Sequence, residues 1–177
     1  MAMAENPESV LGRATWSDED LDVMSWNGCR IRALAVDDVE GPPDGLTREE
    51  YQELDDLDDT APPALQLRLD LDYIVRRTGP PGYGYWVAPA TLTFHCVDGL
   101  SGDLRCLRQP MELRQLHRVT PVVPRDEARW HLEGRDFDLR FQAWSFVLHL
   151  RRPPRHGDRV LRMAERGGIS FEARPFA

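Results

Sequence analysis

Lysine is missing from this sequence: all 22 basic side chains are arginine. A bias of that kind follows GC-rich coding and points to a bacterial source, but it carries no mechanism. Cysteine is scarce, and Cys29, Cys96 and Cys106 form an odd set without CxxC spacing. Such a set fits reduced thiols in a cytoplasm rather than a disulfide framework. No stretch approaches the roughly 20 apolar residues that a membrane-spanning helix needs. The opening "MAMAENPESVLG" has neither a basic n-region nor an apolar h-region, so it does not read as a secretory signal. There is no GxGxxG opening a helix, no GxxxxGK followed by Ser or Thr, no HExxH and no GxSxG elbow. These gaps exclude the usual phosphate cradles, the zinc-protease helix and the serine-hydrolase elbow. No residue is nominated as catalytic, no metal or cofactor is implied, and the balance is against an enzyme.

What is there is the composition of a soluble globular protein. The 177 residues are 41% apolar and 29% charged, and five tryptophans argue against disorder throughout. That length suits one domain, residues 1–177, with a core of useful size. The formal net charge of −8 is unevenly spread, with −13 on residues 1–63 and +5 on residues 64–177. Most of the acidic excess lies in "DDVEGPPDGLTREEYQELDDLDDTAPP", residues 37–63. Within it, Thr47 and Glu50 have the spacing of a capping box for a short helix. The apolar stripe there (Tyr51, Leu54, Leu57) is narrow, so the segment reads as a solvated, mobile insertion between two strands. An acidic arm that covers a basic surface or mimics nucleic acid is the sharper alternative.

Elsewhere the chain beats at period two. In "LQLRLDLDYIV" the odd positions from Leu65 to Val75 are all apolar, and Gln66, Arg68, Asp70 and Asp72 are polar. A strand lines such a set on one face, whereas a helix would scatter it. The beat returns at Phe137, Leu139 and Phe141, then shifts phase to Trp144, Phe146, Leu148 and Leu150. A one-residue shift of this kind predicts a β-bulge or a corner between sheets. "CRIRALAV", "ATLTFHCV", "GDLRCL", "ARWHLEG" and "GISFEA" complete a set of about seven or eight strands. "SDEDLDVMSW" predicts a helix capped by Ser17, with Leu21, Met24 and Trp26 packing onto the sheet. "GDRVLRMAERGG" predicts a short helix from Asp158 to Gly167, with a strand through Val160–Met163 as its competitor. Repeated strand-helix-strand units are missing, which argues against a parallel sheet. The expected fold is mainly β: an antiparallel β-sandwich or open barrel with one or two short peripheral helices.

Asp70 and Asp72 share a strand face at about 7 Å separation, where two carboxylates repel unless something positive lies near. Arg68, Arg30, Arg32 and Arg140 are the candidates, and a cross-strand Asp/Arg ladder on an outer face is the expected arrangement. The alternative is a ligand or metal site built from Asp70, Asp72 and His95, with Trp26 or Trp86 lining it. The spacing carries little specificity, because a metal motif needs short, fixed intervals. Cys96 shares its face with Leu92 and Phe94 and is expected in the core. The other four histidines are scattered singly, with no pair at ligand spacing. Tyr83, Tyr85 and Trp86 could stack on a ligand, though such clusters more often close the end of a β core. Arg151, Arg152, Arg155, Arg159, Arg162 and Arg166 could contact phosphates. The net charge and the lack of a recognition motif argue against nucleic acid, and the acidic insertion would serve as their partner instead.

The stretches "WSDEDLDVMSWNGCRIRAL", "LRLDLDYIV", "YWVAPATLTFHCV" and "FDLRFQAWSF" together resemble a family of small uncharacterised bacterial proteins, a domain of unknown function. The resemblance covers most of the chain outside residues 37–63. It implies a compact β-rich fold and no established activity. In that family a His-Asp pair often follows Met-Ser-Trp, whereas Asn27 and Gly28 stand here. Size and acidity also resemble those of immunity proteins of toxin systems. The expectation is therefore a cytoplasmic, non-enzymatic module that binds a protein partner, immunity-like or regulatory. A small-ligand- or metal-binding β protein is the alternative. Oligomeric state is open.

Overall fold

The period-two beat becomes strand over most of its length. The computed structural model describes residues 12–38, 65–79, 83–105, 111–119 and 128–177. Most of the acidic insertion expected at 37–63, from residue 39 on, lies outside those residues, as does Cys106.

Among the described residues nine strands form one antiparallel sheet: β1 (Thr15–Ser17), β2 (Arg30–Asp38), β3 (Leu65–Thr78), β4 (Gly84–Leu104), β5 (Met111–Arg118), β6 (Arg129–Gly134), β7 (Phe137–Gln142), β8 (Ser145–Leu150) and β9 (Arg155–Gly157). Neighbours run β1-β8-β4-β3-β2-β5-β6-β7, and β7 pairs back onto β4. Six strands thus close into a partial ring, while β8, β1 and β9 branch from β4. The fold is mainly antiparallel β, as expected, and sits between a sandwich and a barrel. Among the described residues, no helix is long and apolar enough to cross a membrane.

β4 makes this closure possible. Its first two thirds pair with β3 on one side and with β9 and β8 on the other, and residues Asp98 to Leu104 pair with β7. The passage between the two stretches falls at Cys96, whose φ of 53° is the left-handed conformation of a bulge residue. The bulge takes Cys96 out of the core, where its alternation with Leu92 and Phe94 had placed it, and Val97 is buried in its stead. The matching break on the partner side falls at Ala143–Trp144, between β7 and β8. That is the corner the phase shift predicts, closed by Trp144 N–H donating to the His95 carbonyl at 3.0 Å.

The ring is filled, not hollow. Phe94 meets Phe141, Phe146 and Trp130 at ring distances of 4.7, 5.5 and 5.7 Å, all in edge-to-face geometry. Trp26 extends the cluster to Phe146 and Tyr73, and Trp16 also packs on Tyr73. Edge-to-face pairs add about 0.5–1.5 kcal/mol each beyond the area they bury. Cys29 lies wholly inside, where burial pushes its thiol up to about 12 and the Ile74 amide donates to its sulfur. A thiol held protonated in this way is inert at neutral pH.

The first helix is a 3₁₀ turn, Asp18–Val23, with Ser17 and Asp20 forming a capping box. The second, α1, is only Met163–Arg166 and ends at Gly167, whose φ of 80° suits a left-handed C-cap. Its expected start at Asp158 is not realised, and "GISFEA" forms no strand. Gly168 has φ 84°, and Ser170 N–H is turned toward Asp70 rather than into a ladder.

Candidate functional site

Asp70 and Asp72 emerge from β3 on the face opposite Leu67, Leu69 and Leu71, and that face is not open to solvent. Both carboxylates are fully buried. Asp70 accepts from Arg166 Nη2 at 2.6 Å, Arg166 Nη1 at 2.7 Å, Arg151 Nη2 at 2.7 Å and Ser170 N at 3.2 Å. Asp72 accepts from Arg32 Nη2 at 2.7 Å, Arg32 Nε at 3.0 Å, Arg166 Nε at 3.0 Å and Leu161 N at 3.4 Å. A carboxylate offers about four lone-pair directions, so both are saturated. Burial alone would lower the Arg166 guanidinium, but its hydrogen bonds to Asp70 and Asp72 outweigh that and hold it above its ordinary value. The cluster clamps the C-terminal segment, Leu161 to Ser170, over β2, β3 and β4.

The expectation that arginines neutralise the aspartates is therefore met, but with other partners. Of the four candidates only Arg32 takes part. Arg68 turns to Gln66 and Asp37, and Arg140 to Asp138. Arg30 makes no ion pair to either aspartate. The arginine cluster after Leu150 disperses in the same way. Arg151 and Arg166 point inward, Arg152 donates to the Glu165 carbonyl, and Arg159 pairs with Glu112 at 3.3 Å. These partners lie among the described residues, and the acidic insertion expected to pair with the cluster lies outside them from residue 39 on.

His95 does not join the aspartates. Asp70 faces Thr91 across the ladder, and His95 lies four residues further along β4, about 13 Å away at strand rise. It is buried with its Nδ1 3.1 Å from Gln66 Nε2. Among the described residues, no group of three His, Cys, Asp or Glu side chains could hold a metal ion. Trp86 stacks on His156 at 5.3 Å, across from it on β9. Beside it, an open cavity of 570 Å³ is bordered by Arg77, Tyr83, Tyr85 and Asp158. Trp26 borders a second cavity.

That second cavity, of 350 Å³, lies between the 3₁₀ turn with its following loop and strand β5. Two ties set its width. Gly28 N–H donates to the Leu113 carbonyl and Leu113 N–H returns to the Cys29 carbonyl, both at 2.8 Å. At the other end Arg118 pairs with Asp18 at 2.9 Å. The loop turns between Trp26 and Cys29 because Gly28 adopts φ 85°. On β5 the register slips between Leu113 and Gln115, which leaves Arg114 and Gln115 both exposed at the rim.

His117 closes one wall of this cavity and heads a polar array that sequence spacing did not reveal. It stands directly across from His131 on β6, with His117 Nε2 3.1 Å from His131 Nδ1. His131 Nε2 lies 2.7 Å from Asp138 Oδ2, and Arg140 Nε donates to the other oxygen at 3.2 Å. The hydrogen bond from His131, aided by Arg140, outweighs the opposing effect of burial and holds the Asp138 carboxyl below the usual range. The chain order hides the array, since His117, His131 and Asp138 come from three strands. A cross-strand register, had it been known, was the signal that could find it. Two buried polar atoms of cavity-lining residues, Trp26 Nε1 and His117 Nδ1, are closed off from solvent and have no hydrogen-bond partner among the described residues.

Comparison with protein-family models, with curated proteins and with solved structures finds no match to this chain.

Proposed function

We propose that the protein is a non-enzymatic binding module of the bacterial cytoplasm that recognises a protein partner, in an immunity-like or regulatory role. The observation that carries this reading is the far end of β4. From Asp98 to Leu104 every residue is exposed, and Leu100 and Leu104 keep 40% and 50% of their surface in water. Among the described residues this stretch pairs with β7 alone. A strand that leaves the core, pairs on one side only among the described residues and carries apolar side chains is suited to pairing with a partner strand. The charged side chains of Asp98, Asp103 and Arg105 beside it would set the register of such a pairing. The ligand-site aspartates suggested by the sequence support the same view, because Asp70 and Asp72 spend all their bonding capacity inside the fold. A photo-crosslinking residue placed at Leu104 in cells should trap one discrete protein partner. The same residue at exposed Ile169, on the C-terminal segment, should trap none. An identical pattern from both positions, or no adduct from Leu104, defeats the reading.

A second reading, small-ligand binding, is favoured by a separate observation. The cavity beside Trp26 and His117 is bordered by apolar Leu21, Met24 and Leu116 together with charged Asp22 and Arg114, a mixed lining of the kind small molecules use.

A further inference from the structure

Strand β5 is joined to β2 by the shortest seam of the ring. Arg30 and Ile31 of β2 pair with Glu112 and Met111, and among the described residues the pairing ends there. After the Gly28–Leu113 exchange, the rest of β5 borders the Trp26 cleft on that side. Its second half is therefore carried by the ladder to β6, with the Arg118–Asp18 pair at its end. His117 and His131 face each other across that ladder, so their hydrogen bond bears on whether the ring stays closed there.

The number of protons on the two rings decides whether this bond can exist. Asp138 is an acceptor, so His131 Nε2 carries the proton of the 2.7 Å bond between them. With both rings neutral, His131 Nδ1 is bare and accepts from His117 Nε2 at 3.1 Å. A first added proton keeps one hydrogen between the facing nitrogens, on either ring, and the bond becomes charge-assisted. The charge is best placed on His131, in contact with Asp138. A second added proton fills all four nitrogens. Two N–H groups then point at each other across the ladder, and two like charges stand side by side.

From this count we infer that the His117–His131 pair is a pH-operated latch on the β5–β6 seam. It stays shut while the pair holds up to one extra proton, and it opens when the pair takes a second. The inference is independent of both readings of function above. Among the described residues, the charged groups around the pair are Arg129 and Glu133 on β6, Asp138 and Arg140 on β7, and Asp103 beyond them on β4. On the cleft side they are Arg114 and Arg118 on β5, and Asp18 and Asp22 on the 3₁₀ turn. Asp138 is in contact with His131 and so compensates one charge of the pair. Protonation of histidine pairs is a general way to flip packed surfaces.

The experiment labels the histidines of the full chain with ¹⁵N and lowers the pH from about 8 to about 4.5, across the ordinary imidazole value of about 6.5. Nitrogen shifts report the protons on each ring, and the ¹⁵N–¹⁵N coupling through the hydrogen bond reports the latch. Seam opening is read from amide exchange, corrected for its intrinsic pH dependence. The Val119 amide donates to the Arg129 carbonyl across the seam, and the Leu113 amide, bonded to the Cys29 carbonyl, is the control. The coupling is expected to survive the first proton and vanish with the second. Protection at Val119 should then fall about tenfold relative to Leu113. In His117→Gln, whose amide bonds His131 in either state without titrating, that fall should disappear. Loss of the coupling on the first proton overturns the latch, as does Val119 protection that keeps step with Leu113 throughout. A fall that persists in His117→Gln also overturns it. If that variant does not fold, the wild-type coupling and exchange decide alone.

Discussion

Asp70 and Asp72 accept eight hydrogen bonds from three arginines and two backbone amides, and nothing polar in that cluster is left over. The array from Asp138 through His131 is built from comparable bonds, yet it ends at His117 Nδ1 with no partner among the described residues. Both lie on the side of their strands that faces away from the aromatic core. The difference is what covers them. Over β3 the C-terminal segment brings Arg166 and the Ser170 amide down onto the carboxylates, and the network closes. Beside β5 the Trp26 loop stands off and encloses a cavity, and the network stays open. A closed polar cluster belongs to the frame, while an open one leaves part of its bonding capacity unused among the described residues.

The largest effect is expected from breaking the closed cluster. Asp70→Asn leaves the buried guanidiniums of Arg166 and Arg151 without most of their compensation and should cost about 3–5 kcal/mol. Urea denaturation reads this directly, and a loss below about 1 kcal/mol would mean that water reaches the cluster. Combining Asp70→Asn with Arg151→Met should cost less than the sum of the two single changes by about 0.5–3 kcal/mol, because each removes the other's unpaired charge. Simple additivity would show that the pair is not coupled.

The sequence reveals the frame more readily than either network. The apolar faces of β3, β7 and β8 are legible because burial against one core forces period two, and the corner at Ala143–Trp144 is legible because the phase changes there. Strand β5 is not, since its slip between Leu113 and Gln115 places two exposed residues in succession and breaks the alternation. β1 and β9 have three residues each, too few to show a period. The aspartates invite an arginine ladder from neighbouring strands, but their main partner comes from Arg166, some 96 residues away along the chain. Alternation tells which residues share a face and says nothing of what folds over it. For the same reason His117 and His131 look solitary in the sequence and meet only when β5 and β6 are placed in register.

The open array should respond far less. His117→Phe removes no closed bonding partner from the core, and His131 Nδ1 can turn to water at the sheet surface. A stability change within about 1 kcal/mol of zero is expected, in either direction. A loss comparable to that of Asp70→Asn would place His117 in the frame and end the distinction between the two networks.

The smallest effect is expected at Asp138, and it is a dependence on pH. Its carboxyl is held below the ordinary range, first by the hydrogen bond from His131 and then by Arg140. An unfolded chain binds the proton more readily, at about 3.9. The stabilisation is therefore complete above that value and drains away as the pH falls through the lower, folded-state value. Asp138→Asn should lower the thermal midpoint slightly at about pH 6 and converge on the wild type as the pH falls through the lower, folded-state value. Because the side chain is 38% exposed, the difference should also shrink in salt. The buried Asp70 cluster, shielded from counterions, should show no such salt dependence. Equal salt responses from Asp138→Asn and Asp70→Asn would mean that both carboxylates see water, and the contrast between a closed network and an open one would lose its physical basis.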